Sequence, residues 1–145
     1  MKNNLSSFIA LITLLSITTA FNIRPAKFAN PHFVGTVCYN ASTGTISGKV
    51  AGLGKNADGY TITISGDYSC TNPAGNKPPA WQHKEITGIP LQQADKPGQY
   101  TFSTSADLQA SCPNPKWTVS SLILNASLVN ADGITVATEA VSICQ

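Results

Sequence analysis

Four kinds of side chain in this 145-residue sequence could do chemistry: four cysteines, two histidines, a thin scatter of carboxylates and many hydroxyls. Cys38, Cys70, Cys112 and Cys144 are even in number, no two stand within a few residues of each other, and neither His32 nor His83 has a cysteine at metal-ligand spacing. Structural zinc sites draw on closely spaced pairs of ligands. The pattern therefore reads as two disulfides in an oxidising compartment, with no metal and no cofactor expected.

Hydrolysis needs a nucleophile beside a base. No Gly-x-Ser-x-Gly elbow is present, and His83, among Trp81, Lys84 and Glu85, reads as a solvated strand end rather than a general base. A pair of carboxylates for glycoside chemistry could be drawn in space from Asp67, Glu85, Asp95, Asp107 or Glu139, but nothing in their spacing points to it. The run from Gly52 to Ala57 formally matches the glycine motif of dinucleotide-binding proteins. That motif needs a helix after it to hold the pyrophosphate, and a strand pattern follows here.

Two stretches are more distinctive. Cys70-Thr71-Asn72-Pro73 is followed by Lys77 and Trp81, and Cys112-Pro113-Asn114-Pro115 by Lys116 and Trp117. Asparagine before proline holds an extended or turn conformation, and its side chain can bond to the backbone, so each stretch reads as a stiff loop pinned by its cysteine. Asn72, Pro73, Trp81, Asn114, Pro115 and Trp117 are the candidate binding residues. The competing reading packs each tryptophan over a disulfide, as in immunoglobulin domains; it is preferred for Trp117, while Trp81 stands evenly between the two. Asn40-Ala41-Ser42 and Asn125-Ala126-Ser127 fit the N-glycosylation rule, which matters only in a eukaryotic secretory path.

The elements that must position these residues are strands. From Phe33 onward the sequence is β-branched, aromatic and small residues punctuated by Gly, Asn, Asp and Pro. Strands are predicted over 33–39, 44–53, 60–70, 85–90, 100–105, 118–128 and 134–144. In 60–70, Tyr60, Ile62, Ile64, Tyr68 and Cys70 share one face, and Thr61, Thr63, Ser65, Asp67 and Ser69 the other, as in a half-buried strand. The expected fold is all-β: a single immunoglobulin-like antiparallel β-sandwich of about seven strands.

An internal repeat runs through this pattern. Asn56-Ala57-Asp58-Gly59 and Asn130-Ala131-Asp132-Gly133 are identical; each begins 18 residues after a cysteine, Cys38 or Cys112, and 14 before the next, Cys70 or Cys144. Asp-Gly suits a tight connection between strands, so a pair of like turns is expected. A duplication is suggested by the spacing. Calcium binding is not, because one carboxylate per turn falls far short of six to eight oxygens.

Ahead of this domain, Met1 to Asn4 carries one positive charge, and the apolar centre from Phe8 to Ile17 leads to Thr18-Thr19-Ala20. Charge, apolar centre and small residues in that order make a signal peptide over 1–20, cut after Ala20. Residues 21–32 form a short arm and 33–145 the domain. Cleavage removes only Lys2 among the nine basic residues, leaving a nearly neutral chain with no basic stripe for nucleic acid and no second apolar run for a membrane span.

Residues 47–54, together with the two Cys-x-Asn-Pro loops, resemble a group of small secreted bacterial proteins of unknown function, best represented in actinobacteria. The resemblance covers about 33–128. It implies that Cys70 bonds to Cys112, leaving Cys38 for Cys144, whereas the repeat alone favours Cys38 with Cys70 and Cys112 with Cys144. It implies no activity. The reading is a secreted or periplasmic, non-enzymatic binding or structural module with a protein or carbohydrate ligand; the alternatives are a small secreted hydrolase and a secreted inhibitor or toxin-like factor. N-terminal sequencing of the exported protein is expected to begin at Phe21, and an intact Met1 on the exported form would remove the cleavage site.

Overall fold

The structure, a computed structural model, describes residues 30–75 and 77–144. The signal peptide and nearly all of the arm lie outside the described residues. Among those described there are nine strands and no helix: β1 (His32–Phe33), β2 (Val37–Asn40), β3 (Thr45–Ala51), β4 (Thr61–Thr71), β5 (Ala80–Pro90), β6 (Gln92–Gln93), β7 (Gln99–Ser105), β8 (Thr118–Val129) and β9 (Thr135–Cys144).

The strands form one hydrogen-bonded path, β5-β4-β8-β9-β2-β3-β7-β6, with β1 beside β3. The path curls so that inward side chains of both halves meet in a single core. Ile62, Ile64 and Tyr68 from β4 and Leu124, Ala126 and Leu128 from β8 share it with Val37 and Tyr39 from β2, Ile46 and Val50 from β3 and Tyr100 and Phe102 from β7. Of the alternation expected in 60–70, Ile62, Ile64, Tyr68 and Cys70 are buried and Asp67 faces solvent, but Ser69, expected on the polar face, is only 2 % exposed, with its hydroxyl 3.0 Å from Ser120 Oγ where the β4–β8 register shifts.

The expectation of a purely antiparallel arrangement needs correction at one pair. β2 and β9 run parallel, with Val37 opposite Val141 and Asn40 opposite Cys144. β2 makes an antiparallel pair with β3, and β9 makes one with β8; the two hairpins meet along β2 and β9 with those strands parallel, a pairing between segments far apart in sequence.

Three boundaries also differ. The stretch 33–39 is divided at Gly35, which takes φ 71°, so β1 and β2 are separate. β5 starts at Ala80 instead of Glu85, because its inward residues Gln82, Lys84 and Ile86 are only partly covered and carry no apolar alternation. β6, two glutamines, has no apolar signal at all.

The two Asn-Ala-Asp-Gly turns do different work at one place. The second closes the β8–β9 hairpin, where Asn130 Oδ1 accepts from the amides of Asp132 (3.1 Å) and Ile134 (2.9 Å). The first links β3 to β4, which are not neighbours in the sheet, and the Tyr60 amide donates to the Ala57 carbonyl at 2.9 Å. The turns abut: a Cβ on Gly59, where φ is 78°, would stand 2.8 Å from the Ala131 methyl.

Both disulfides fall in the pairing that the resemblance implied, Cys70–Cys112 and Cys38–Cys144, separated by 42 and 106 residues. Loop entropy alone ranks the longer one higher, at about 5 against about 4 kcal/mol. Burial reverses that order, because Cys70 and Cys112 sit in the core and removing two sulfurs leaves voids costing about 1 kcal/mol each. The Cys70→Ala/Cys112→Ala protein is expected to lose more unfolding free energy than the Cys38→Ala/Cys144→Ala protein; urea denaturation of both, with equal loss or the opposite ranking counting against this account, measures it.

Candidate functional site

The two Asn-Pro stretches fold alike. Asn72 Oδ1 accepts from the Ala74 amide (3.1 Å), and its carbonyl accepts from the Gly75 amide (2.9 Å). Asn114 repeats this with the Lys116 amide (2.9 Å) and the Trp117 amide (2.9 Å). Each is an asparagine side-chain turn laid over a β-turn, with the proline fixing φ inside it. The first follows β4 and the second precedes β8; Thr71 pairs with Thr118, and Cys70–Cys112 ties the same end. Asn72, Pro73, Asn114 and Pro115 thus stand together at one end of the β4–β8 pair.

The two tryptophans part company. Trp117, just before β8, is partly buried against the core, and its carbonyl accepts from Gln109 Nε2. Trp81 lies within β5, not in the loop ahead of it, and is 53 % exposed. Register places it on the outward face of the β5-β4-β8 section in ordered rows. Trp81 stands opposite Ser69, and Ser69 opposite Ser121; next come His83, Asp67 and Ile123, then Glu85, Ser65 and Asn125.

The middle row holds a juxtaposition the sequence did not offer. His83 Nδ1 and Asp67 Oδ1 are 2.8 Å apart, across the β4–β5 pair. Asp67 is on the expected polar face of its strand; His83 falls outside the expected strand 85–90, whose true start lies five residues earlier, at Ala80. The pair is open to solvent, 64 % and 57 % exposed, and no hydroxyl is hydrogen-bonded to His83 among the described residues. Of the other carboxylates, Glu85 shares this face, Asp95 lies in the β6–β7 link, Asp107 accepts from the Ala110 amide (3.1 Å), and Glu139 stands opposite Ala126 on β9. Asp67 and Glu85 lie in adjacent rows of one face, and the other three lie elsewhere. Burial, with a smaller contribution from the Asp107 charge, pushes the Tyr39 hydroxyl above its usual value and keeps it a neutral core group.

With every cysteine bridged, no thiolate is left for a metal, and among the described residues no group of three or more His, Cys, Asp or Glu side chains could hold one. Asn40 Oδ1 accepts from Ser42 and Thr43, within its own turn, and Asn125 is exposed in mid-strand.

A second feature lies on the other half of the sheet. Over β3 and β7 is a hollow of ≈ 450 Å³, bordered by Lys49, Ser47, Thr101, Ser103, Gln92 and Thr36. Lys49, Thr101 and Gln92 form one row, and Cys38, Ser47 and Ser103 another; between them pass the backbones of Gly48 and Phe102. The interruption between β1 and β2 at Gly35, which divides the predicted 33–39 strand, forms one rim through Val34 and Thr36. Strands are expected from the sequence over 44–53 and 100–105. Their register, which gathers these side chains, is not.

No protein-family model matches the chain, and no curated protein matches it. Its chemistry is to be read from the geometry just described. The twin turns give a direct check: Asn72→Ala and Asn114→Ala should each cost about 1 kcal/mol, from the hydrogen bond lost and the turn loosened, whereas Asn114→Asp, which keeps an accepting oxygen, should cost less. Thermal or urea unfolding of the three variants tests this, and an alanine variant as stable as the parent would show the side-chain turn to be incidental.

Proposed function

We propose that this chain is an exported, non-enzymatic binding module of immunoglobulin-like sandwich type, which contacts a glycan through the outward face of β5, β4 and β8. The observation that carries the reading is Trp81, an indole 53 % exposed on a hydrogen-bonded strand. Burying an aromatic of this size is worth a good deal to a fold. Its exposure on a face that also carries His83, Asp67, Glu85, Asn125 and the exposed Ile123 is the arrangement expected of a contact residue.

The neighbours supply the rest of the chemistry. A sugar ring has an apolar C–H face and a rim of hydroxyls, and an indole with carboxylates and an amide alongside meets both. Asp67, Glu85 and Asn125 lie in the next two rows. Two disulfides fit an oxidising, extracellular or periplasmic setting. The sandwich assignment is supported by two strand sections packed on one core, and by a partly buried Trp117 close in sequence to the inner disulfide. The hydrolase alternative has the Asp67–His83 pair in its favour, but that pair lies on an open face rather than in a cleft.

Binding of the purified protein to insoluble cellulose, chitin, starch and peptidoglycan, by depletion from solution, tests the proposal. Retention on at least one polymer is expected, with Trp81→Ala weakening it about 30-fold, the roughly 2 kcal/mol of a hot-spot aromatic. Stability of that variant should stay within about 0.5 kcal/mol of the parent, as for an exposed side chain. Equal retention of parent and variant, or none by the parent, would sink the assignment.

A further inference from the structure

The hollow over β3 and β7 belongs to the half of the sheet that does not carry Trp81, and we propose that it is a second binding site, for a carboxylate-bearing sugar. Its volume, ≈ 450 Å³, lies within the range of small-molecule sites. Lys49 borders it half-buried and makes no ion pair among the described residues. An ammonium without an ion-pair partner at the edge of a hollow can meet an incoming anion with a charge-assisted hydrogen bond.

The groups around Lys49 narrow the class of anion. Thr101 stands directly opposite Lys49 on β7, and Ser47 opposite Ser103 in the neighbouring row. Hydroxyls on alternate residues of a strand repeat at about 6.7 Å, and adjacent strands at about 4.8 Å. That grid, with the Gln92 amide at its edge, matches the hydroxyl rim of a pyranose more closely than it matches a bare inorganic ion. One ammonium suits one carboxylate rather than a dianionic phosphate.

A nucleotide is disfavoured by the floor. Phe102 is the ring nearest the hollow, and it turns inward: it is 2 % exposed and lies against Gly48, where a Cβ would stand 2.6 Å from it. Its ring is therefore not offered for stacking a base. The hollow also has a continuation. A second one of ≈ 300 Å³ shares Lys49 and Thr101 with the first and is bordered also by Lys96 and Asp95, two basic groups to one carboxylate. The space extends beyond a single ring and leaves room for the next unit of a chain.

The site can be tested independently of the Trp81 face by amide chemical-shift titration of the ¹⁵N-labelled protein. The probes are D-glucuronate, D-glucose, acetate and a galacturonate tetramer. Glucuronate should shift the Ser47, Thr101 and Ser103 amides saturably, with a Kd at least tenfold below those of glucose and acetate. A tetramer that binds more tightly than glucuronate assigns the site to an acidic polysaccharide, and equal affinity assigns it to the free sugar acid. Lys49→Gln and Thr101→Val should each weaken glucuronate binding, the first at least tenfold, while Lys49→Arg retains it and Trp81→Ala leaves it unchanged. Equal response to acetate or glucose, an unchanged Kd in Lys49→Gln, or no saturable response overturns the proposal, and none of these results bears on polymer binding through Trp81.

Discussion

Strand β9 is hydrogen-bonded to different partners along its length, and the rest of the structure depends on that division. Its first part, from Thr135 to Ala140, pairs with β8; its last part, from Val141 to Cys144, pairs with β2. Without this passage β5-β4-β8 and β2-β3-β7-β6 would be two separate ribbons, each with an apolar face and no lid. Because one strand belongs to both, the faces are held together and the core is shared. Cys38–Cys144 sits at that joint and fastens the second strand of the chain to the last. Cys70–Cys112 acts at the other end of the β4–β8 pair, inside the core. A domain this small gains substantially from both ties, since its buried surface alone leaves a modest margin.

Much of this was legible in the residues, and the reasons for the misses are physical. Where one face of a strand is buried, period-two alternation shows, and 60–70, 100–105 and 118–128 were found almost to their ends. Where a strand lies at the edge, its inward side chains need not be apolar. Gln82 and Lys84 hid the start of β5 in this way, and Gln92 and Gln93 hid β6 entirely. The parallel β2–β9 contact is a property of strand order, which no local pattern encodes. The candidate residues were legible as stiff turns, because Asn-Pro carries its conformation in its own bonds. The Asp67–His83 pair and the hollow were not, since each arises from register between segments distant in sequence.

The same edges explain how the fold avoids uncontrolled pairing. β5 is eleven residues long and leaves one side of its backbone without a strand partner. It carries an inward-directed Lys84, a bulge near Gly88 and a proline at its end, each a known way of blunting an exposed edge. The opposite edge is guarded differently, by a strand of only two residues. An edge so protected can keep an exposed tryptophan without becoming a template for its own copies.

Two bulges decide what the two tryptophans do. On β8, Cys70 faces Val119 while Ser69 faces Ser121, so Ser120 is an extra residue and the inward positions change from odd to even along the chain. Leu122, Leu124, Ala126 and Leu128 point inward beyond the bulge, and Val119 and Trp117 point inward before it. On β5 the shift between Ile62 and Ile64 of its partner inserts an extra residue, so Ile89 and Ile86 both face the core. Counting back from Ile86 puts Gln82 and Lys84 inside and Trp81, His83 and Glu85 outside. A regular pairing with Ile89 inward would have reversed every one of them, since a slip of one residue exchanges the faces of a strand. Two stretches that both open with Cys-x-Asn-Pro therefore deliver one tryptophan to the core and the other to the surface. Packing accounts for Trp117; the bulge on β5 leaves Trp81 on the surface, where the proposed glycan contact would use it.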